Sequence, residues 1–139
     1  MSLFNVFDIT ATGMSAQSMR LNTTASNIAN ADSVSSSQGE TYRARHPVFA
    51  AAMQKAAAGQ DQTAVGVDVL GIVESNKPLN IEYSPDHPMA DKDGYIYKPN
   101  VNVIEEMTNM ISASRSYQTN VQLAESAKNM LNKTLLLGK

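Results

Sequence analysis

The sequence predicts an α+β fold in which two long terminal α-helices pair as an antiparallel coiled coil, with a small antiparallel β element and loops between them. Three features predict it. Apolar or small residues recur at alternating steps of three and four near the start of the chain. The same period returns near the end. The middle alternates polar and apolar residues between turn signals. These zones divide the chain into residues 1–31, 32–101 and 102–139.

The first helix is expected over residues 3–31, which carry only two charges, Asp8 and Arg20. Its seam reads Phe4, Phe7, Ala11, Met14, Ser18, Leu21, Ala25 and Ile28. At 1.5 Å per residue the helix is about 40 Å long. The other face holds Thr10, Thr12, Gly13, Ser15, Asn22, Thr23, Ser26 and Asn27, mediocre helix formers where a solvated helix usually carries Lys and Glu. Intrinsic helicity is therefore low, and the segment needs partners to stay helical. Small uncharged side chains also let neighbouring backbones come close.

The second helix is expected over residues 102–137. Its seam is Val103, Met107, Met110, Ser114, Tyr117, Val121, Ala124, Lys128, Leu131 and Leu135. Asn102 is its N-cap, with Glu105 three residues on in a capping-box position. Glu105 and Glu106 in the first turn and Lys133 near the end suit the helix dipole, and Gly138 is a natural stop. Ile104, Ile111, Leu123, Met130 and Leu137 lie off the seam and widen the apolar surface beyond what one partner helix covers. Two seams of one period suggest pairing with each other, and a strict seven-residue repeat implies left-handed supercoiling. The plainer reading is a two-helix element of a globular domain. Phe7, Met14, Leu21, Met110, Tyr117 and Leu131 are the expected centre of the seam, and Lys128 either snorkels out or meets an acid on a neighbour.

Between the helices, residues 32–41 read as loop. Tyr42–Phe49 reads as a strand with Arg43 and Arg45 on one face, and Pro47 places it at an edge. The Ala-rich stretch 50–59 is open between a short helix and a loop. Val65, Val67 and Val69 alternate, as do Leu79, Ile81 and Tyr83, so both segments read as strands. Ser84-Pro85, His87-Pro88 and Asp93-Gly94 mark turns before Tyr95-Ile96-Tyr97.

Composition excludes several chemistries. The chain of 139 residues has a net charge of −2 and no run of Lys or Arg to track a phosphate backbone, which argues against nucleic-acid binding. It has no Cys, hence no disulfide and no thiol nucleophile. Aromatic content is 6% with no Trp, and eight Met supply adaptable apolar volume. The start lacks a basic stretch followed by an apolar one, so no cleavable signal peptide is expected, and no apolar run is long enough for direct membrane insertion. His46 and His87 are the only imidazoles, neither at a helical ligand spacing from another. Asp91-Lys92-Asp93-Gly94 begins like a calcium loop but lacks the later acidic position, so it reads as a turn. No metal, cofactor or catalytic residue is expected, and the chain does not read as an enzyme.

Ala25-Ser26-Asn27-Ile28-Ala29-Asn30-Ala31-Asp32-Ser33 resembles the Asn-rich motif that ends the N-terminal helix of the flagellar axial proteins of rod and hook. The Ser-rich insert that follows, ending in Tyr42-Arg43, is similar to the proximal-rod branch. The second signature covers Asp93-Gly94-Tyr95, Pro99 to Val103, Glu105-Glu106-Met107 and Ser112 to Val121. Ser35–Ser37 and residues 50–59 depart from the pattern. The resemblance implies a structural subunit of the proximal rod, exported by the flagellar type III apparatus, that polymerises in the periplasm and transmits motor torque. Its implied partners are other copies of itself, neighbouring rod proteins and the rod-to-ring adaptor. It implies family-motif roles for Asn27, Ile28, Ala29, Asn30, Tyr42 and Arg43, and assembly through both seams. Beside it stand another rod or hook component of the same axial family and two readings from other classes: a soluble binding module on a helical hairpin, and a metal-dependent hydrolase around His87.

Overall fold

Both terminal segments are helical in the computed structural model, which describes residues 3–53 and 65–137. The elements are α1 (Leu3–Ala29), β1 (Arg45–Met53), β2 (Val65–Glu74), β3 (Asn80–Tyr83), β4 (Tyr95–Lys98) and α2 (Val103–Leu137). Asn102 starts α2 as expected: its Oδ1 accepts the amides of Ile104 at 3.1 Å and Glu105 at 3.4 Å. Glu105 returns no bond to Asn102 among the described residues, so the capping box is half made. Lys133 falls one residue short of the last turn, which holds no basic residue. Gly138 lies outside the described residues.

The helices run antiparallel. Gly13 faces Asn120, Arg20 Nη2 donates to Asn109 Oδ1 at 3.1 Å, and Asn27 Nδ2 donates to Glu106 Oε2 at 3.1 Å, so one number falls as the other rises. A Cβ at Gly13 would stand 2.9 Å from Asn120 Nδ2, so any side chain there makes that amide move. The expected single β element is instead two separate antiparallel pairs, β1–β2 and β3–β4. In a two-stranded sheet every strand is an edge, which accommodates Pro47. β1 begins at Arg45, so Arg43 lies before the strand rather than on it. Ala50–Met53 continues β1, and the rest of the Ala-rich stretch lies outside the described residues. The β1–β2 pair lies along α1, where Thr12 Oγ1 accepts the Val67 amide at 3.2 Å. α1 is thus the middle layer, with α2 on one side and β1–β2 on another.

The most buried positions along the two helices are not those of the expected seam. Among the described residues the buried positions of α1 are Thr10, Ala16, Thr23, Thr24 and Asn27, and those of α2 are Glu106, Ala113 and Ala127. On the expected α1 seam, Ala11, Ser18 and Ala25 are exposed, while Phe7, Met14, Leu21 and Ile28 are half-buried. On α2, Met107, Tyr117, Lys128 and Leu135 are exposed, while Val103, Met110, Ser114, Val121, Ala124 and Leu131 are half-buried. The side chain of Phe4 lies outside the described set. The reason is steric. Interaxial distance follows the side chains at the contact, so the small faces come together and the larger residues are left on the flanks. Buried threonines are accommodated by bonding back along the helix: Thr10 Oγ1 donates to Val6 O, and Thr23 Oγ1 to Met19 O, each at 2.9 Å.

Candidate assembly surfaces

One site ties the layers together. Asn27, with no solvent exposure, uses all of its amide's capacity. Its Nδ2 donates to Arg45 O at 2.8 Å and to Glu106 Oε2 at 3.1 Å, while its Oδ1 accepts from Tyr42 Oη and from Arg45 N, both at 2.9 Å. The end of α1, the start of β1 and the first turn of α2 are thereby joined through one side chain. Tyr42 Oη also meets Ser26 Oγ at 3.3 Å, and the Arg45 guanidinium lies 5.4 Å from the Tyr42 ring centre while pairing with Glu74 at 3.0 Å. Asn30 Nδ2 donates to Ser26 O at 2.8 Å, closing the helix end.

Of the motif residues expected from sequence, Asn27 and Tyr42 meet directly and Asn30 acts locally. Arg43 reaches only Ser75 O, at 3.4 Å. Ile28 is half-buried and Ala29 exposed. Sequence reasoning missed Glu106 and Arg45 as partners of Asn27. It also missed a second amide tie at Asn100, whose Oδ1 accepts the Ala44 amide at 2.8 Å while Nδ2 donates to Lys77 O at 2.8 Å. Nothing local announces these bonds, because each joins residues far apart in the chain.

The β3–β4 hairpin is held by its turn. Asp91 Oδ1 accepts the amides of Asp93 and Tyr95 at 2.9 Å, and its Oδ2 accepts Tyr97 Oη at 3.3 Å. The Tyr95 amide chiefly, with Asp93 and the Tyr97 hydroxyl, holds the Asp91 carboxyl below the usual range. Gly94 has φ of 83°, and a Cβ there would stand 2.9 Å from the Tyr83 ring. The fragment read as a turn from sequence is a turn, and no metal-ligating cluster exists among the described residues. A polar hollow of about 950 Å³ between the 33–43 loop and the sheet base is lined by Glu40, Tyr42, Arg43, Arg45 and Glu74 among others, but by no imidazole to act as a base.

The larger feature is apolar surface. The buried hydrophobic residues are Ala16, Ala44, Ile96, Ala113 and Ala127, with one large side chain among them. Outside stand Ile104 at 77% exposure, Leu136 at 72% and Leu70 at 70%. Met107 and Ile111 continue the Ile104 ridge on α2, and Val48, Ile72 and Val73 join Leu70 on the β1–β2 pair. A chain that buries alanine and exposes leucine presents surfaces for other proteins to cover.

Two helices that clasp through small residues, a polar tie at their closed end and bare apolar flanks describe a structural protein with surfaces for neighbours to cover. Comparison with known families agrees. Residues 7–35 match the family described as flagella basal body rod protein, and residues 92–137 match that described as flagellar basal body rod FlgEFG protein C-terminal. The flagellar basal-body rod protein FlgC of Salmonella typhimurium is 46% identical over 139 residues, all of both chains. That of Yersinia enterocolitica is 48% identical over 139 residues, again all of both chains. That of Borreliella burgdorferi is 34% identical, covering 99% of this chain and 98% of its own. The chain belongs to the flagellar basal-body rod protein FlgC family. It is a structural subunit of the basal-body rod, and on that ground not an enzyme.

Proposed function

We propose that the chain assembles with copies of itself and with neighbouring rod proteins, its bare apolar faces covered by adjacent subunits, so that the finished rod transmits motor torque. The observation that carries this reading is the inversion of burial: alanines inside, Ile104, Leu70 and Leu136 outside. The half-buried large residues of the two expected seams, Phe7, Met14, Leu21 and Ile28 on α1 and Met110, Val121 and Leu131 on α2, are the assembly positions, packing as coiled coils between subunits. The sparsely charged α1 segment suits passage through the type III export apparatus without a cleavable signal. It then orders fully once neighbours bury it, in a rod that crosses the periplasm and meets the rod-to-ring adaptor.

Leu21→Asp tests the placement. A carboxylate buried without a partner costs several kcal/mol or more, so the variant should fail to enter basal bodies and should abolish swarming. Its monomer should lose less than its assembly does, because Leu21 is half-buried rather than buried, and far-UV circular dichroism checks that the monomer still folds. Normal swarming would refute the assignment.

A further inference from the structure

A strand edge is a row of free backbone donors and acceptors, and every strand here but β1 has its own covered or cut short. The outer edge of β4 is taken by Ser35, whose amide donates to Tyr97 O and whose carbonyl accepts the Tyr97 amide, each at 3.0 Å. β3 is four residues long and carries Glu82, paired with Lys98. The outer edge of β2 lies against α1, where Thr12 Oγ1 takes the Val67 amide. That bond also fixes the pleat of the hairpin. Because the Val67 amide points away from β1, its partner Ala51 turns both its N–H and its C=O outward on the opposite side. Phe49 and Met53, two residues either way, do the same. These backbone groups have no partner among the described residues. Pro47 blocks only the base of β1, and no charged residue stands between it and Met53. Phe49 and Ala51 are exposed. The edge of β1 is thus the open one, and it lies on the side of the hairpin away from Thr12.

We infer that β1 pairs antiparallel with β1 of a second copy, the two strands centred on Ala51. Phe49-Ala50-Ala51-Ala52-Met53 reads large, small, small, small, large in both directions, so this register sets Ala51 opposite Ala51 and Phe49 opposite Met53. The outward backbone groups of all three then meet their counterparts, and no charge opposes the approach. The product is a four-stranded sheet, β2–β1–β1–β2, with an α1 helix along each outer edge. An open edge is completed by an extended strand, and a self-complementary edge supplies that strand from its own kind. The contact is isologous and closes at two copies. A closed pair does not extend, so it belongs to the free chain and covers this edge before rod assembly. The inference is independent of the rod reading, which a monomeric chain satisfies equally well.

Sedimentation velocity of the full chain over a concentration series tests it, with Ala51→Lys, Ala51→Glu and Ala51→Pro. Wild type should move between monomer and dimer. Ala51→Lys and Ala51→Glu each set like charges directly opposite, and each alone should dimerise about fivefold more weakly. Their equimolar mixture should dimerise more tightly than either, because the opposed charges then differ in sign. Ala51→Pro removes an outward amide that the β1–β2 ladder does not use, and should weaken the dimer about tenfold or more. Far-UV circular dichroism matching wild type separates lost pairing from lost folding, and the two charged forms decide the matter should the proline form unfold. Wild type that stays monomeric throughout, charged forms that dimerise like wild type, or a mixture that gains nothing would each overturn the inference. Association that all three substitutions leave unchanged would assign the contact to another surface and overturn it as well.

Discussion

At its closed end the helix pair is tied by Asn27, and every hydrogen-bonding position on that amide is occupied. At its open end α2 extends past α1 with Leu135 and Leu136 in solvent. The first end is polar and finished within the chain; the second is apolar and finished by nothing among the described residues. The difference teaches where folding stops and assembly begins. Directional bonds fix the chain's own geometry at one end, and non-directional apolar surface is left over at the other.

The closed end should therefore be the more sensitive to substitution. Asn27→Asp keeps the two acceptors that serve Tyr42 and Arg45 N, but it turns both donors into acceptors. A carboxylate then faces Glu106 and the Arg45 carbonyl in a buried site. The expected loss is about 3–5 kcal/mol, read as a fall in the urea midpoint with little change in slope. A midpoint within error of wild type would show that the tie contributes little and that the two ends are less different than their bonds suggest.

The middle of the pair grades between them. Gly13→Leu places a side chain where even a Cβ would stand 2.9 Å from Asn120 Nδ2. Leucine is the better helix former, which works in its favour, but its bulk must push the axes apart. A net loss of about 1–3 kcal/mol in thermal melting is expected, smaller than at Asn27 because the axes can shift a little. A stabilised variant would mean that helix propensity, not close approach, decides at this position.

The sequence made the helices, the turn at Asp91 and the approximate places of the strands legible, since each is a short-range pattern, but not Ala50–Met53 of β1, where a run of alanines carries no alternation. The face of α1 that the fold buries most was not legible, for a physical reason. The three-four repeat through Phe7, Met14 and Leu21 is genuine, but a heptad says only that a stripe is apolar, not which partner takes it. Thr10, Thr23 and Asn27 look like a poor surface and are in fact buried. α1 lies between two neighbours, where bulk is the obstacle. The polar tie was half legible: Asn27 and Tyr42 stood out through the motif, whereas Glu106 looked like a charge placed for the helix dipole. Only the antiparallel register brings it to Asn27.

The open end supplies the smallest expected effect on the monomer and the sharpest separation of folding from assembly. Leu136 is 72% exposed, on a stretch of α2 with no α1 residue opposite it. Leu136→Ser thus removes little that folding uses. Serine is a somewhat weaker helix former near a helix end, which costs a few tenths of a kcal/mol. The melting midpoint of the dilute monomer should stay within about 0.5 kcal/mol of wild type. Entry into basal bodies should nonetheless fall, because the same leucine is apolar area for a neighbouring subunit to bury. A variant that melts markedly earlier as a monomer would show that the overhang folds onto its own chain. That would erase the contrast with the Asn27 end.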